Sequence, residues 1–73
     1  MPKLDYERQK KANSIESDVR ELLHTSPNHD DTLSLISSII CEVDTDIAIT
    51  VMEQINTVES RHHATAIKVN YGY

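Results

Sequence analysis

Leu33-Ser34-Leu35-Ile36-Ser37-Ser38-Ile39-Ile40-Cys41-Glu42-Val43-Asp44-Thr45-Asp46-Ile47-Ala48-Ile49-Thr50-Val51-Met52-Glu53-Gln54-Ile55-Asn56-Thr57-Val58 is the stretch that decides the fold. Leu33, Ile36, Ile40 and Val43 recur at steps of three and four, with Leu35 and Ile39 beside them and serines opposite. That spacing predicts a helix. Ala48, Val51, Met52, Ile55 and Val58 repeat the pattern. The break between them, Val43-Asp44-Thr45-Asp46, has no Gly or Pro, but its Asp and Thr residues favour caps over helix interiors. Ile47, Ile49 and Val51 alternate with Ala48 and Thr50, which is strand-like and rich in β-branched residues. The helical spacing persists through Ile55 and Val58 for about three turns, so helix is the preferred reading.

Upstream, Ala12, Ile15, Val19, Leu22 and Leu23 form another helical stripe. Asn13 and Glu16 fit a capping box, although good helix formers before them allow a start as early as Lys3. Thr25-Ser26-Pro27-Asn28 ends this helix, because the residue before a proline is pushed out of the helical region. Asp30 or Asp31 is expected to cap the next one. The alternation of Ile67, Val69, Tyr71 and Tyr73 reads as a flexible tail or an edge strand offered to a partner. The expected architecture is all-α: a three-helix domain over residues 1–62 containing a helical hairpin, followed by a flexible C-terminal tail over 63–73.

The 73 residues include one Cys, one Gly and no Trp or Phe, which excludes a disulfide scaffold, a Cys-based zinc module and a Gly-rich phosphate loop. No apolar run approaches the roughly 20 residues needed to span a bilayer. The opening Met1-Pro2-Lys3-Leu4-Asp5-Tyr6-Glu7-Arg8 lacks a secretory apolar stretch, and the expected location is cytoplasmic. Charge is segregated. Residues 1–12 hold Lys3, Arg8, Lys10 and Lys11 against two acids, residues 13–60 hold Arg20 against ten acids, and residues 61–73 hold Arg61 and Lys68 against none. An acidic body with basic ends repels phosphates and favours a basic protein surface.

Fourteen of the 26 residues from Leu33 to Val58 are apolar, whereas a helix facing one core needs about three in seven. A chain this small commonly needs a disulfide, a metal or a partner copy to stand alone. Self-association is therefore expected, with Leu33, Ile36, Ile40, Val43, Val51, Met52, Ile55 and Val58 forming the core and dimer contacts.

Candidate chemistry is sparse. Cys41 lies on an apolar face next to Glu42, and a carboxylate disfavours a thiolate. His24 and His29 are five apart across Pro27, and His62 and His63 are adjacent, so neither pair has the i,i+3 or i,i+4 spacing of a helical chelate. Ser34, Ser37 and Ser38 have no sequence-adjacent base. No catalytic residue, cofactor or metal site is assigned. The acidic turn of Glu42, Asp44 and Asp46 is the candidate docking surface for a basic protein partner. Lys3, Arg8, Lys10 and Lys11 are the candidate phosphate contacts.

Leu33-Ser34-Leu35-Ile36-Ser37-Ser38-Ile39, followed by Asp44, Ala48 and Val58, resembles the AriR/YmgB family of small enterobacterial regulators, and Glu16–Leu23 is similar to that family's first helix. Where the family carries an Arg and a Leu-Glu pair near the end of its second helix, this chain has Met52, Ile55 and Asn56. The resemblance spans residues 15–58. It implies an all-helical homodimer without catalytic residues, acting as a connector to a two-component phosphorelay in biofilm formation and acid resistance. The functional expectation is a small non-enzymatic regulator that dimerises and binds another regulator. Two alternatives stand beside it: a DNA-binding transcriptional regulator, using residues 44–58 or the Lys3–Lys11 arm, and a phage- or plasmid-encoded inhibitor of a host protein.

Overall fold

The computed structural model describes residues 3–73. The described chain is all-helical: α1 (Tyr6–Thr25), α2 (His29–Val43), α3 (Thr45–Ile55) and α4 (Val58–Tyr71). No strand occurs among the described residues. The expected number of three helices is corrected to four.

Each boundary has a local cause. Asp5 caps α1 by accepting the Arg8 amide at 2.9 Å, so the helix takes the earlier of the two starts the sequence allows, near Lys3, and not the one at the Asn13–Glu16 pair. Asn28, not Asp30 or Asp31, caps α2, accepting the Asp31 amide at 3.1 Å, while the two acids sit in the first turn beside the positive helix end. Asp44 serves two helices at once. Its backbone N–H closes α2 on the Ile40 carbonyl at 2.8 Å, and its carboxylate accepts the Ile47 amide at 3.3 Å to open α3.

The α3–α4 junction is the largest departure from the sequence expectation. Asn56 takes the left-handed conformation (φ 59°, ψ 39°), which Asn tolerates better than most residues, and ends α3. Thr57 and Ser60 then form a capping box, with Thr57 N–H donating to Ser60 Oγ at 2.8 Å and Ser60 N–H to Thr57 Oγ1 at 3.1 Å. Val58 therefore opens a new helix and does not extend α3. Residues 63–71 continue that helix in place of the expected tail, and Gly72 terminates it with a positive φ of 77°.

The reason α4 holds is its buried face of Ser60, Ala64 and Ile67, at helical spacing of four and three. This face packs on α3, which lies at the centre with α1, α2 and α4 around it; α2 also touches α4. Ile47, Ala48, Ile49, Thr50, Val51, Met52 and Ile55 are buried on every side of α3. A helix apolar all round belongs inside. The buried Thr50 hydroxyl donates to the Asp46 carbonyl at 2.8 Å and so enters the core satisfied.

Among the residues expected to form the core and dimer contacts, Leu33, Ile40, Val51, Met52 and Ile55 are buried, and Ile36 packs part-buried against them. Val43 and Val58 are 85% and 59% exposed, which removes both from the core. Val43 is the last residue of α2 and Val58 the first of α4, so both stand at helix ends beside the turns into and out of α3.

Because Ile67 is buried against α3, Ile67→Ala should cost about 2–4 kcal/mol in urea unfolding. Val69→Ala, at a position 75% exposed on the same helix, should stay within about 0.5 kcal/mol of the parent. Equal, negligible effects of the two substitutions would mean that residues 63–71 are not docked.

Candidate functional site

The acidic turn is organised by α1. The Arg8 guanidinium donates from Nε to Asp44 Oδ2 at 2.9 Å and from Nη2 to Asp44 Oδ1 at 2.6 Å, and it reaches Asp46 Oδ2 at 3.2 Å. The two-pronged match of planar guanidinium to carboxylate fixes direction as well as distance. Tyr73 closes the cluster from the other end of the chain by donating its hydroxyl to Asp46 Oδ1. The Arg8 hydrogen bonds hold the Asp44 carboxyl below the usual carboxylate range, against the opposing effect of burial. The bond to Asp46 pushes the Tyr73 phenol upward.

Two of the three carboxylates expected to meet a basic partner are thus engaged within the chain, while Glu42 is exposed. Arg8 is likewise committed to Asp44 and Asp46, which takes it out of the proposed phosphate-binding set. Lys3, Lys10 and Lys11 are exposed, and the Lys10 ammonium lies 5.0 Å from the Tyr6 ring centroid. Residues 44–58 are not available as a recognition helix, because the body of α3 is enclosed and cannot enter a DNA groove.

A second polar cluster ties α1 to α3. Gln54 donates to Glu16 Oε1 at 2.6 Å and to Asn13 Oδ1 at 3.2 Å, and accepts from Gln9 at 2.8 Å. Arg20 completes it, donating to Glu16 at 2.7 Å and to the Gln54 carbonyl at 2.9 Å. Asn13, expected as a cap, is instead a mid-helix member of this network. These bonds fix the register of α1 on α3.

Between α2 and α4 lies a cleft of about 370 Å³ lined by Ser34, Ser37, Ser38, Cys41, His63 and Tyr71, among others. Burial raises the Cys41 pKa, which disfavours the nucleophilic thiolate. His63 Nε2 meets Asp30 Oδ1 at 3.0 Å. Asp30 lies eleven residues before Cys41 on α2, about 16 Å along the helix, so the imidazole–carboxylate pair is remote from the thiol. His29 Nε2 is 2.8 Å from the Leu23 carbonyl. Among the described residues no group of three His, Cys, Asp or Glu side chains is gathered to hold a metal ion.

Sequence reasoning named Val43 for the core and dimer contacts but missed Leu35 and Ile39, which join it in an exposed apolar surface. Leu35, Ile39 and Val43 project from α2 at 64%, 56% and 85% exposure. Spaced by four, they share one face of the helix. Beside them runs a groove of about 330 Å³ between α1 and α2, with Ile15 on one wall, Ile39 and Val43 on the other, and Ile47 among the residues lining it. The signal was present in the excess of aliphatic residues from Leu33 to Val58. Periodicity alone could not say which of them stay outside, because they encircle much of α2.

Asp44 allows its charge and its capping to be separated. Asn is as good an N-cap as Asp, so Asp44→Asn keeps the cap and removes the ion pair. Because the folded state lowers this pKa, the stabilisation is complete above the unfolded value, about pH 4, and is lost as pH falls through the folded value. Asp44→Asn should lower Tm at pH 7, and the gap to the parent should narrow as pH falls below the unfolded carboxyl's value of about 4. Asp44→Ala should cost about 1 kcal/mol more than Asp44→Asn, the contribution of the cap. A pH-independent gap would exclude the Arg8 pair as its cause.

Comparison with protein-family models, curated proteins and solved structures finds no match to this chain.

Proposed function

We propose that this chain is a small, non-enzymatic, cytoplasmic regulatory protein that forms a homodimer and binds another protein regulator bearing a basic surface. The observation that carries the reading is the exposed face of Leu35, Ile39 and Val43 on α2. Three large aliphatic side chains aligned over two turns, next to an apolar groove, favour a protein contact over solvent. The charge pattern supports the second half of the proposal. At the α2–α3 turn, the ion pairs among the described residues set Arg8 against Asp44 and Asp46, which leaves these acids net negative, and Glu42 is exposed to meet a cation. The connector role in a two-component relay follows from the resemblance to the AriR/YmgB regulators and belongs to the same proposal.

The DNA-binding alternative is left with the exposed lysines of the N-terminal arm. Three such cations supply a modest electrostatic contribution against an acidic body. No described helix is long and apolar enough to cross a membrane.

Sedimentation equilibrium tests the dimer directly. The parent should show a concentration-dependent dimer in the micromolar range, and Ile39→Asp should be monomeric with an unchanged helical circular dichroism spectrum. A parent that remains an 8.3 kDa monomer at high concentration overturns the proposal. Glu42→Lys should weaken binding of a basic regulator several-fold at low salt and much less near 0.5 M, because exposed charges act mainly through long-range steering.

A further inference from the structure

The face around Leu35, Ile39 and Val43 has a symmetry of its own. On α1, Arg8, Lys11, Ile15, Asp18 and Leu22 follow one another at steps of three and four and therefore share one side of the helix. Ile15 stands at the middle of this row. Lys11 lies one turn toward the N-terminus, and Asp18 lies one turn toward the C-terminus with Glu21 beside it; all three are exposed. On α2, Ile39 stands midway between Leu35 and Val43. Ile15 and Ile39 line the same groove. The face is thus apolar along its midline, positive on one side of Ile15 and negative on the other.

A surface with that polarity is complementary to itself when turned end for end. We propose that the occupant of the α1–α2 face is a second copy of this chain, related by a two-fold axis that crosses α1 and α2 near Ile15 and Ile39. The operation places Ile39 against the Ile39 of the second copy, Leu35 against Val43, and Lys11 against Asp18 and Glu21. Every contact occurs twice, as an isologous interface requires. A parallel arrangement would bring Lys11 onto Lys11 and Asp18 onto Asp18, which like-charge repulsion disfavours. A stable interface takes about 800 Å² from each partner, roughly one sixth of the 4665 Å² exposed by this chain. This inference rests on the self-association in the proposed function and adds its direction and register.

Single-cysteine variants in a Cys41→Ser background test it. All three positions are exposed, so the fold is preserved, and circular dichroism checks this. Ile39→Cys should form a disulfide-linked dimer under mild oxidation. Leu35→Cys and Val43→Cys should each cross-link poorly alone and efficiently when mixed, because the antiparallel register pairs them with each other. Lys11→Glu should raise the dimer dissociation constant roughly three- to tenfold at low salt, and adding Asp18→Lys and Glu21→Lys should restore it. If Leu35→Cys and Val43→Cys each cross-link to themselves, the copies are parallel and the inference fails. If sedimentation shows a dimer but none of the three positions cross-links, the interface lies elsewhere; the inference fails while the self-association stands. A monomer at all concentrations overturns both.

Discussion

Enclosure of α3 is the constraint on which the rest of the molecule depends. With Ile47 through Met52 apolar or internally satisfied on every side, this short helix cannot rest against a single neighbour. It must be surrounded, and three further helices are what the chain has to surround it. The long α1 covers one side and α2 a second. The remaining side can be closed only by residues after Asn56, which is why α4 forms from a sequence with little hydrophobic patterning. The Arg8–Asp44–Asp46 cluster and the Gln54 network then set how α1 lies on this centre. Burial supplies the driving force, and the polar contacts select one arrangement among several that burial would allow.

The helical class, the stripes of α1 to α3 and the loop at Pro27 were legible in the residues. Their patterns are long and their apolar side chains large, so the period of 3.6 stands out. Residues 58–71 were not legible, because the face that α4 buries is made of Ser60, Ala64 and Ile67. Only Ile67 registers as strongly apolar, and its neighbours Val69, Tyr71 and Tyr73 alternate like a strand. The missed clue was local: Asn56 suits a left-handed helix end, and Thr57 with Ser60 can cap the next helix. Caps failed as predictors elsewhere for the opposite reason. Asn13 has cap chemistry but finds better partners in Gln9 and Gln54, so tertiary contacts override the local preference.

The site was only half legible. Glu42, Asp44 and Asp46 were recognised as an acidic turn, but their spacing says nothing about Arg8, 36 residues away from Asp44 and bound to it on both carboxylate oxygens. A long-range ion pair leaves no periodic trace in one sequence. The pairing divides labour among the three acids, with Asp44 and Asp46 maintaining the architecture and Glu42 remaining on the surface. The exposed aliphatic face of α2 was hidden in a similar way. Composition announced that there were too many apolar residues for one small core; which ones were surplus depended on where α1 and α4 came to lie.

The same segment that centres the fold has a different character before folding is complete. Ile47-Ala48-Ile49-Thr50-Val51-Met52 is a six-residue run of high β-propensity without charge, Gly or Pro, the composition from which stacked intermolecular strands are built. In the native state it is locked in a helix and shielded on all sides. In an unfolded chain it is bare, and covering it takes α1, α2 and α4 together. Asp44 and Asp46 precede the run and Glu53 follows it, so each end carries the negative charge that keeps like segments from stacking. These carboxylates therefore act twice, once as structural partners of Arg8 and Lys68 and once, in the nascent chain, as gatekeepers against aggregation.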